Sequence, residues 1–257
     1  MNMEKKELKK YFVDEELDEV LNLYEKYRLA EEREIPLFGK DFYTPNIWRF
    51  FEKNINSGYC KVESCGCFDE AERRMISFNN NYDIPYPYKV IKITNNSKFS
   101  NEGHRNFLGS LLALGIKRSK LGDLLVKDNC CYVPVCEEIA EFILSNLKSI
   151  GKSPCKVEIL TEDFVLPKVE FTETVILVQG LRLDSIVAKL AKVARGKAQN
   201  MIEEGKVLVD YICIREKSFQ VQSGERITIR GLGKYLLGDV VGNSKSGKFK
   251  VIIKKYT

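Results

Sequence analysis

Basic side chains in the last third of the chain are the residues whose types and spacing best suggest chemistry. Between residues 181 and 234, apolar residues recur at three- and four-residue steps, and the positions left outside these apolar faces are largely cationic. Ammonium and guanidinium groups bind phosphate oxygens, and Arg does so through two parallel hydrogen bonds. The candidate residues for contact with a phosphate backbone are Arg182, Lys189, Lys192, Arg195, Lys197, Gln199, Lys206, Arg230 and Lys234.

The distribution of charge points to the same part of the chain. The 257 residues carry a formal net charge of +5, but residues 1–80 hold 13 Lys and Arg against 17 Asp and Glu. Residues 166–257 hold 17 Lys and Arg against 9 Asp and Glu. A basic third on a nearly neutral body is typical of a protein that binds a polyanion, most simply nucleic acid.

Two short helices and several strands must position these cations. Asp184 is placed to cap the first helix, which the segment 194–196 is expected to end. The second helix should stop at Gly205, a residue type suited to the left-handed position after a helix. Strands are predicted at 206–209 and 227–230, followed by a hairpin whose loop, GNSKSGK, lacks the Ser or Thr of a P-loop. The lysines in and after that loop either extend the cationic surface or guard a solvated edge strand; they are Lys245, Lys248, Lys250, Lys254 and Lys255.

This stretch resembles the S4 RNA-binding domain. The matching motifs are Arg182-Leu183-Asp184, Arg195 at the start of the second helix, MIEEGKVLV at 201–209 and VQSGE at 221–225. Three positions depart from the family pattern: Asp210-Tyr211 replaces Asn-Gly, Glu225 replaces Asp, and Ala194 replaces Ser. The resemblance implies that the basic residues contact RNA, and we expect no DNA partner.

The middle of the chain predicts the order β-α-β-β-α-β, which is the ferredoxin-like plan. Asn101 could cap its first helix, and its second helix, at 137–147, should turn Phe142 inward. The aromatic signature of base-stacking RNA-recognition sheets is absent. A second set of candidate RNA-binding residues consists of His104, Arg105, Lys117 and Arg118, although a structural role at a helix start is favoured for His104.

Motifs in this region extend the resemblance to nearly the whole chain. PYPYKVIKI, HRNFLG, LGIKR and Gly122-Asp123 are similar to the bacterial YlmH family of S4-domain proteins. The resemblance implies a cytoplasmic, non-enzymatic protein that binds rRNA on the large ribosomal subunit, with tRNA as a further candidate. It also implies a part in rescuing stalled subunits that still hold peptidyl-tRNA. We expect an α+β chain with an α-rich domain at 1–80, a ferredoxin-like domain at 81–165 and an S4 domain at 166–257.

Catalytic and cofactor chemistry finds little support in the sequence. A single histidine, His104, excludes a two-histidine metal site, and none of the eight cysteines forms a C-x-x-C pair, so we expect reduced, mostly buried thiols and no bound metal. No apolar run is long enough to span a bilayer, and MNMEKKELKK lacks the apolar stretch of a secretory signal, so no membrane partner is expected. We predict a monomer without cofactor. Two alternatives stay open: an RNA-modifying enzyme that uses the S4 domain as a tether, and an adaptor whose body binds protein.

Overall fold

A computed structural model describes residues 5–55, 58–97, 102–161, 164–168 and 171–256. The chain forms a mixed α/β structure with two compact units, Met1–Pro167 and Lys168–Thr257. The division of the first unit into two domains near residue 80 stays a prediction. No helix among the described residues is both long enough and apolar enough to cross a membrane.

The first part of unit one is built around aromatic side chains. Its helices are α1 Lys5–Leu8, α2 Asp14–Arg33 and α3 Pro45–Phe50, the last continued by a π-helical turn at Phe51–Ile55. Its strands are β1 Leu37–Phe38, β2 Val62–Cys65 and β3 Met75–Phe78, which pair in the order β1-β3-β2. Thr44 is the N-cap of α3 and Pro45 its first residue, a position that suits proline because its missing N–H would have no helical partner there. Apolar residues from α2, α3 and the sheet form one buried core.

The second part of unit one is an antiparallel sheet with two helices on one face. Its elements are β4 Tyr88–Asn95, α4 His104–Leu112, a 3₁₀ turn at Arg118–Lys120, β5 Leu125–Lys127, β6 Cys130–Cys136, α5 Glu137–Asn146, β7 Ser149–Ile150 and β8 Ser153–Ile159. The strands pair in the order β5-β6-β4-β8-β7, and the name ferredoxin-like for this arrangement stays a prediction. Asn101 lies outside the described residues, and the N-cap of α4 is Gly103. The inward placement predicted for Phe142 is wrong: its side chain is 46% exposed, because α5 buries Ala140 and Ile143 instead.

A short segment after α4 joins the two parts of unit one. The buried carboxylate of Asp123 accepts hydrogen bonds from the backbone N–H groups of Glu72 (2.5 Å) and Arg73 (3.0 Å). Ser119 Oγ donates to Asp41 Oδ1 at 3.0 Å. Burial raises the pKa of Asp123, against the lowering effect of these backbone hydrogen bonds. The Gly-Asp motif singled out in the sequence therefore attaches the aromatic core to the sheet.

Gly122→Ala should destabilise unit one by about 1–3 kcal/mol, the usual cost of overpacking. A Cβ at this position would lie 2.4 Å from Pro134 Cγ and 3.2 Å from Phe42 Cε1. Urea unfolding followed by the fluorescence of Trp48, the chain's single tryptophan, measures the loss. Gly109→Ala is the matched control, because a Cβ there meets nothing within 4 Å. Equal unfolding midpoints for the two variants would contradict the close packing at Gly122.

Unit two is a six-stranded antiparallel sheet with two helices inserted after its first strand. Its elements are β9 Phe171–Val178, α6 Leu183–Leu190, α7 Arg195–Glu203, β10 Val207–Val209, β11 Ile212–Cys213, β12 Arg226–Ile229, β13 Gly233–Asn243 and β14 Phe249–Tyr256. The strand order is β11-β10-β12-β13-β14-β9, so β14 pairs with the strand that opens the unit. Apolar residues of both helices and of the sheet share one core. Gly205 has φ +71°, as predicted for the residue after α7.

Candidate RNA-binding surface

A fully buried carboxylate organises the helix pair of unit two. Asp184 Oδ1 and Oδ2 accept hydrogen bonds from Arg195 Nη2 and Nε, both at 3.0 Å. Arg182 donates to the same two oxygens at 3.3 and 3.1 Å, and Gln199 Nε2 donates to Oδ2 at 3.0 Å. The side chains of Arg182 and Arg195 remain 40% and 47% exposed, respectively. Asp184 thus fixes two forks whose remaining N–H groups can face a ligand.

The ionisation of Asp184 reflects this arrangement. Burial disfavours the charged carboxylate, but hydrogen bonds from Arg182, Gln199 and Arg195 outweigh that effect and hold its pKa at about 2. The carboxylate is therefore charged throughout the physiological range, and its charge offsets one of the two arginines.

The prediction that Asp184 caps α6 is wrong. The helix begins at Leu183 with Arg182 as N-cap, and no side chain caps it. Its first backbone N–H groups, those of Leu183 and Asp184, donate to the carbonyls of Phe219 (2.8 Å) and Lys217 (3.4 Å). Because carbonyls from a distant segment of the chain satisfy these donors, the carboxylate is left to bind the arginines.

The end of α6 also differs from its prediction. The break lies at residues 191–194, and Gly196 falls inside α7. Lys192 adopts φ +55°, the left-handed conformation that usually belongs to glycine, and Val193 N–H donates to Ala188 O at 3.0 Å. A lysine in this conformation carries a steric cost that a glycine at the same position would not.

Lys192→Gly should raise the free energy of unfolding of unit two by about 1 kcal/mol. Glycine removes the steric cost of the left-handed conformation, partly offset by its greater entropy in the unfolded chain. Lys192→Ala loses the same charge but keeps the steric cost, so its stability should stay near that of the original chain. Chemical denaturation of the three proteins measures the difference, and equal gains for Gly and Ala would refute the steric argument.

Four cations line one groove of about 510 Å³ on unit two. Lys189, Lys192 and Arg195 come from the helix pair, and Lys248 comes from the end of the loop between β13 and β14. The groove floor includes apolar and small residues of β9 and α6, among them Leu177, Ser185 and Ala188. Positive charges on the walls of a groove produce a concentrated positive potential, which attracts a phosphate backbone.

Lys248 is one of the lysines for which the sequence leaves two interpretations open. The predicted hairpin is present, and Lys248 N–H donates to Ser244 Oγ at 3.0 Å, which fixes the loop end beside β14. The structure places this lysine in the groove with the helix cations, since β14 pairs directly with β9, which leads into α6. The tertiary pairing that brings it there has no local sequence signal.

The remaining predicted residues occupy other positions on unit two. Lys206 and Arg230 are neighbours through the pairing of β10 with β12, since Arg230 N–H donates to Lys206 O at 2.9 Å. Lys206 Nζ also lies 2.6 Å from Glu204 Oε2. Lys234 Nζ lies 5.1 Å from the ring centroid of Tyr211. Lys197 is exposed on α7. The predicted residues therefore divide into the Asp184 cluster, the groove, the exposed Lys197 on α7, and a group around the ends of β10, β12 and β13.

The departure at Asp210-Tyr211 does not alter the backbone of its turn. Both residues have positive φ, +43° and +72°, and they join Val209 to its partner Ile212 in a two-residue hairpin. This is the conformation that Asn-Gly favours in such turns. The backbone conformation of the family turn is therefore preserved, although Asp and Tyr adopt positive φ less readily than Asn and Gly. Tyr211 also contacts Lys234, which a glycine could not do.

The second candidate set lies on unit one. His104 and Arg105 are exposed in the first turn of α4, and Lys117 is exposed before the 3₁₀ turn. Arg118 is turned toward its own chain: its Nη1 donates to Gly122 O at 3.0 Å, and its Nη2 lies 3.9 Å from Asp123 Oδ1. Its guanidinium therefore helps to hold the joining segment of unit one.

The cysteines are less buried than the sequence predicts, since only three of the eight are buried and four are partly buried. All eight cysteines are free, and Cys60, Cys131 and Cys136 are buried, whereas Cys213 is exposed. Burial raises the pKa of Cys60 to about 11 and that of Cys67 to about 12, so both stay protonated at neutral pH. Within the described ranges, no three His, Cys, Asp or Glu side chains are grouped as metal ligands.

Comparison with known proteins finds two family matches in separate parts of the chain. Residues 82–163 match the family described as "Putative RNA-binding domain in YlmH", and residues 181–227 match the S4 domain. The chain is 26% identical over 249 residues to "Ribosome-associated protein quality control protein P2" of Bacillus subtilis (strain 168), which covers 95% of this chain and 94% of that protein. A solved structure, "Cell division protein ylmH from Streptococcus pneumoniae", is 21% identical with a TM-score of 0.47 and covers 58% of this chain and 93% of that one. The resemblance to the YlmH family of S4-domain proteins is therefore confirmed, since the chain carries both a YlmH-type RNA-binding domain and an S4 domain.

Proposed function

We propose that this chain is a cytoplasmic, non-enzymatic RNA-binding factor that acts on the ribosome. The observation that carries the proposal is the groove of unit two, where Lys189, Lys192 and Arg195 of the matched S4 domain converge with Lys248 from the later hairpin loop. The name of the Bacillus subtilis relative supports association with the ribosome in protein quality control. We place the chain more specifically on rRNA of the large subunit, in the rescue of stalled subunits that hold peptidyl-tRNA.

The geometry suits recognition of a phosphate backbone. Arg195 presents a fork whose orientation is fixed by two hydrogen bonds to buried Asp184, so little side-chain entropy is lost when a phosphate binds. The lysines of the groove supply point charges without geometric demands. Contacts of this kind position a protein on RNA and make its affinity fall with salt.

Catalysis by this surface is disfavoured by the state of the buried acid at its centre, Asp184. Asp184 accepts five hydrogen bonds, and its pKa of about 2 leaves it too weak a base to remove a proton at neutral pH. Its oxygens are occupied by guanidinium and amide groups, so a substrate atom has no open approach to them. We therefore assign Asp184 a positioning role.

Sedimentation with separated ribosomal subunits tests the proposal. We expect stoichiometric co-migration with the large subunit at low and moderate salt, and loss of co-migration for Lys189→Glu/Lys192→Glu. These two lysines are exposed and lie outside the Asp184 cluster, so the exchange should leave unit two folded. Arg195→Glu would be a poor choice, because it would place a second carboxylate against buried Asp184.

The matched control is Lys10→Glu/Arg28→Glu, which makes the same change in net charge at exposed positions of unit one. It should sediment like the original chain if the groove is the binding surface. Equal binding to both subunits, or loss of binding in the control as well, would show only non-specific attraction and overturn the proposal. Mass spectrometry of RNA after incubation would reveal a new modified nucleoside if the chain were instead an enzyme.

A further inference from the structure

The five-stranded sheet of unit one, β5-β6-β4-β8-β7, has a second face that helices α4 and α5 do not cover. Helices α4 and α5 cover the face that carries Ile91, Ile93 and Val133, which belong to one buried core. Since side chains alternate along a strand, the intervening residues of β4, β5, β6 and β8 lie on the opposite face. These residues are Lys92, Thr94, Leu125, Lys127, Cys130, Tyr132, Lys156 and Glu158.

Tyr132 occupies the middle of this face. It lies on β6, directly opposite Lys92 on one side and Leu125 on the other. The ring of Phe164, from the segment after β8, stacks on it with centroids 5.5 Å apart and planes 21° apart. Lys92 Nζ lies 5.9 Å from the tyrosine ring centroid. The face therefore already holds a planar ring in parallel contact, flanked by a cation.

The charge around this ring is positive. Lys92, Lys127 and Lys156 share the face with a single acid, Glu158. Glu158 pairs with Lys156 at 2.7 Å and with Lys92 at 3.6 Å. Hydrogen bonding from Lys156, and then from Lys92, lowers the pKa of Glu158, so this acid stays charged and balances one of the three lysines. An aromatic ring among excess cations matches the two parts of a nucleotide, the base and the phosphate.

We propose that this face is a second RNA site, in which one base of a single-stranded RNA stacks on Tyr132. Stacking requires a base that is free of a duplex, so the ligand is single-stranded. Phe164 occupies the place of the base in the free protein and moves aside when RNA binds; its ring is 38% exposed and belongs to a segment outside the strands. The site uses none of the groove cations of unit two, and it does not depend on the proposed ribosomal role.

Fluorescence anisotropy of labelled octa-uridylate with the full chain tests this site. The measurements are made in the Lys189→Glu/Lys192→Glu background, which removes most binding by the groove. Tyr132→Ala should weaken binding about tenfold or more, as expected for loss of one stacked base. Tyr132→Phe should bind normally, because the ring and not the hydroxyl makes the contact. Phe164→Ala should strengthen binding about threefold, since the competing ring is gone.

Photo-crosslinking of a 4-thiouridine oligomer, mapped by mass spectrometry, locates the contact without any substitution that could harm folding. We expect a crosslink within residues 125–136 or at 164–168. Crosslinks confined to 181–248, or weakening by Phe164→Ala equal to that of Tyr132→Ala, would overturn the site and reduce the ring pair to packing. If Tyr132→Ala binds the oligomer normally but no longer binds a protein that the original chain binds, the face would be assigned to protein instead. If oligomer binding depends on Tyr132 but subunit sedimentation fails, only the ribosomal proposal falls.

Discussion

Asp184→Asn should lower the free energy of unfolding of unit two by about 2 kcal/mol at pH 7. The native pKa of about 2 lies well below the ordinary 3.8, and each pKa unit corresponds to about 1.4 kcal/mol. The side chains of Arg182 and Arg195 are nearly half exposed, so water can hydrate their guanidinium groups when the carboxylate is lost, which limits the destabilisation. The N–H₂ group of an asparagine would face the N–H donors of Arg182 and Arg195 and could not accept their hydrogen bonds. The two guanidinium groups would therefore lose their fixed orientation. RNA binding should therefore fall about tenfold even where the variant is fully folded.

The pH dependence of stability gives an independent measurement. A native pKa below the unfolded value means that the stabilisation is complete above about pH 4 and disappears as the pH falls through about 2. Urea unfolding of the original chain and Asp184→Asn should thus differ at pH 7 and converge between pH 4 and pH 2. Glu203→Gln, on the exposed end of α7, is the control for loss of one acid. A difference between the two proteins that persists unchanged at pH 2 would exclude the ion cluster as its source.

Reversal of three groove lysines, Lys189→Glu/Lys192→Glu/Lys248→Glu, should weaken binding to ribosomal RNA by about 100-fold or more near 0.1 M salt. Each lysine that contacts a phosphate contributes about one unit to the slope of log affinity against log salt concentration. The slope should therefore become shallower by about 2–3 in the variant. Filter binding at four salt concentrations measures both quantities.

Lys248→Glu alone tests the contribution of the hairpin. It should reduce the slope by about one unit, whereas Lys245→Glu, at an exposed position of the same loop, makes an equal charge change outside the groove. An equal effect of the two single variants would mean that the loop acts through its general charge. A parallel loss of affinity with no change in slope would show that the groove lysines do not meet phosphates.

Local elements of unit two could be predicted because their signals are local. Apolar spacing indicated both helices, and Gly205 marked the end of α7 through a conformation that its residue type favours. The strands predicted at 206–209 and 227–230 are present as β10 and β12, whereas their antiparallel pairing was not part of the prediction. The left-handed Lys192 could not be predicted, because nothing in its residue type indicates positive φ.

The site itself was predictable in composition but not in arrangement. Motif matching singled out Arg182, Asp184 and Arg195, yet the role assigned to Asp184 was wrong, because carbonyls 33 and more residues away along the chain already cap its helix. Charge counting found the helix lysines, whereas Lys248 joins them only through the pairing of β14 with β9. Contacts between distant segments decide both cases, and a periodic pattern in one segment carries no information about them.

The pairing of β9 with β14 also constrains when unit two can form. The ladder runs from Phe171 opposite Tyr256 to Val178 opposite Phe249, so the first strand of the unit is completed by its last. During synthesis on a ribosome, β9, α6 and α7 emerge long before their edge partner, and the six-stranded sheet cannot close until residue 256 has left the exit tunnel. Among the described residues, no strand of unit one pairs with this sheet, so unit one can fold earlier. The groove of unit two, which includes Lys248, therefore forms only after β14 has been synthesised, whereas unit one does not depend on that strand.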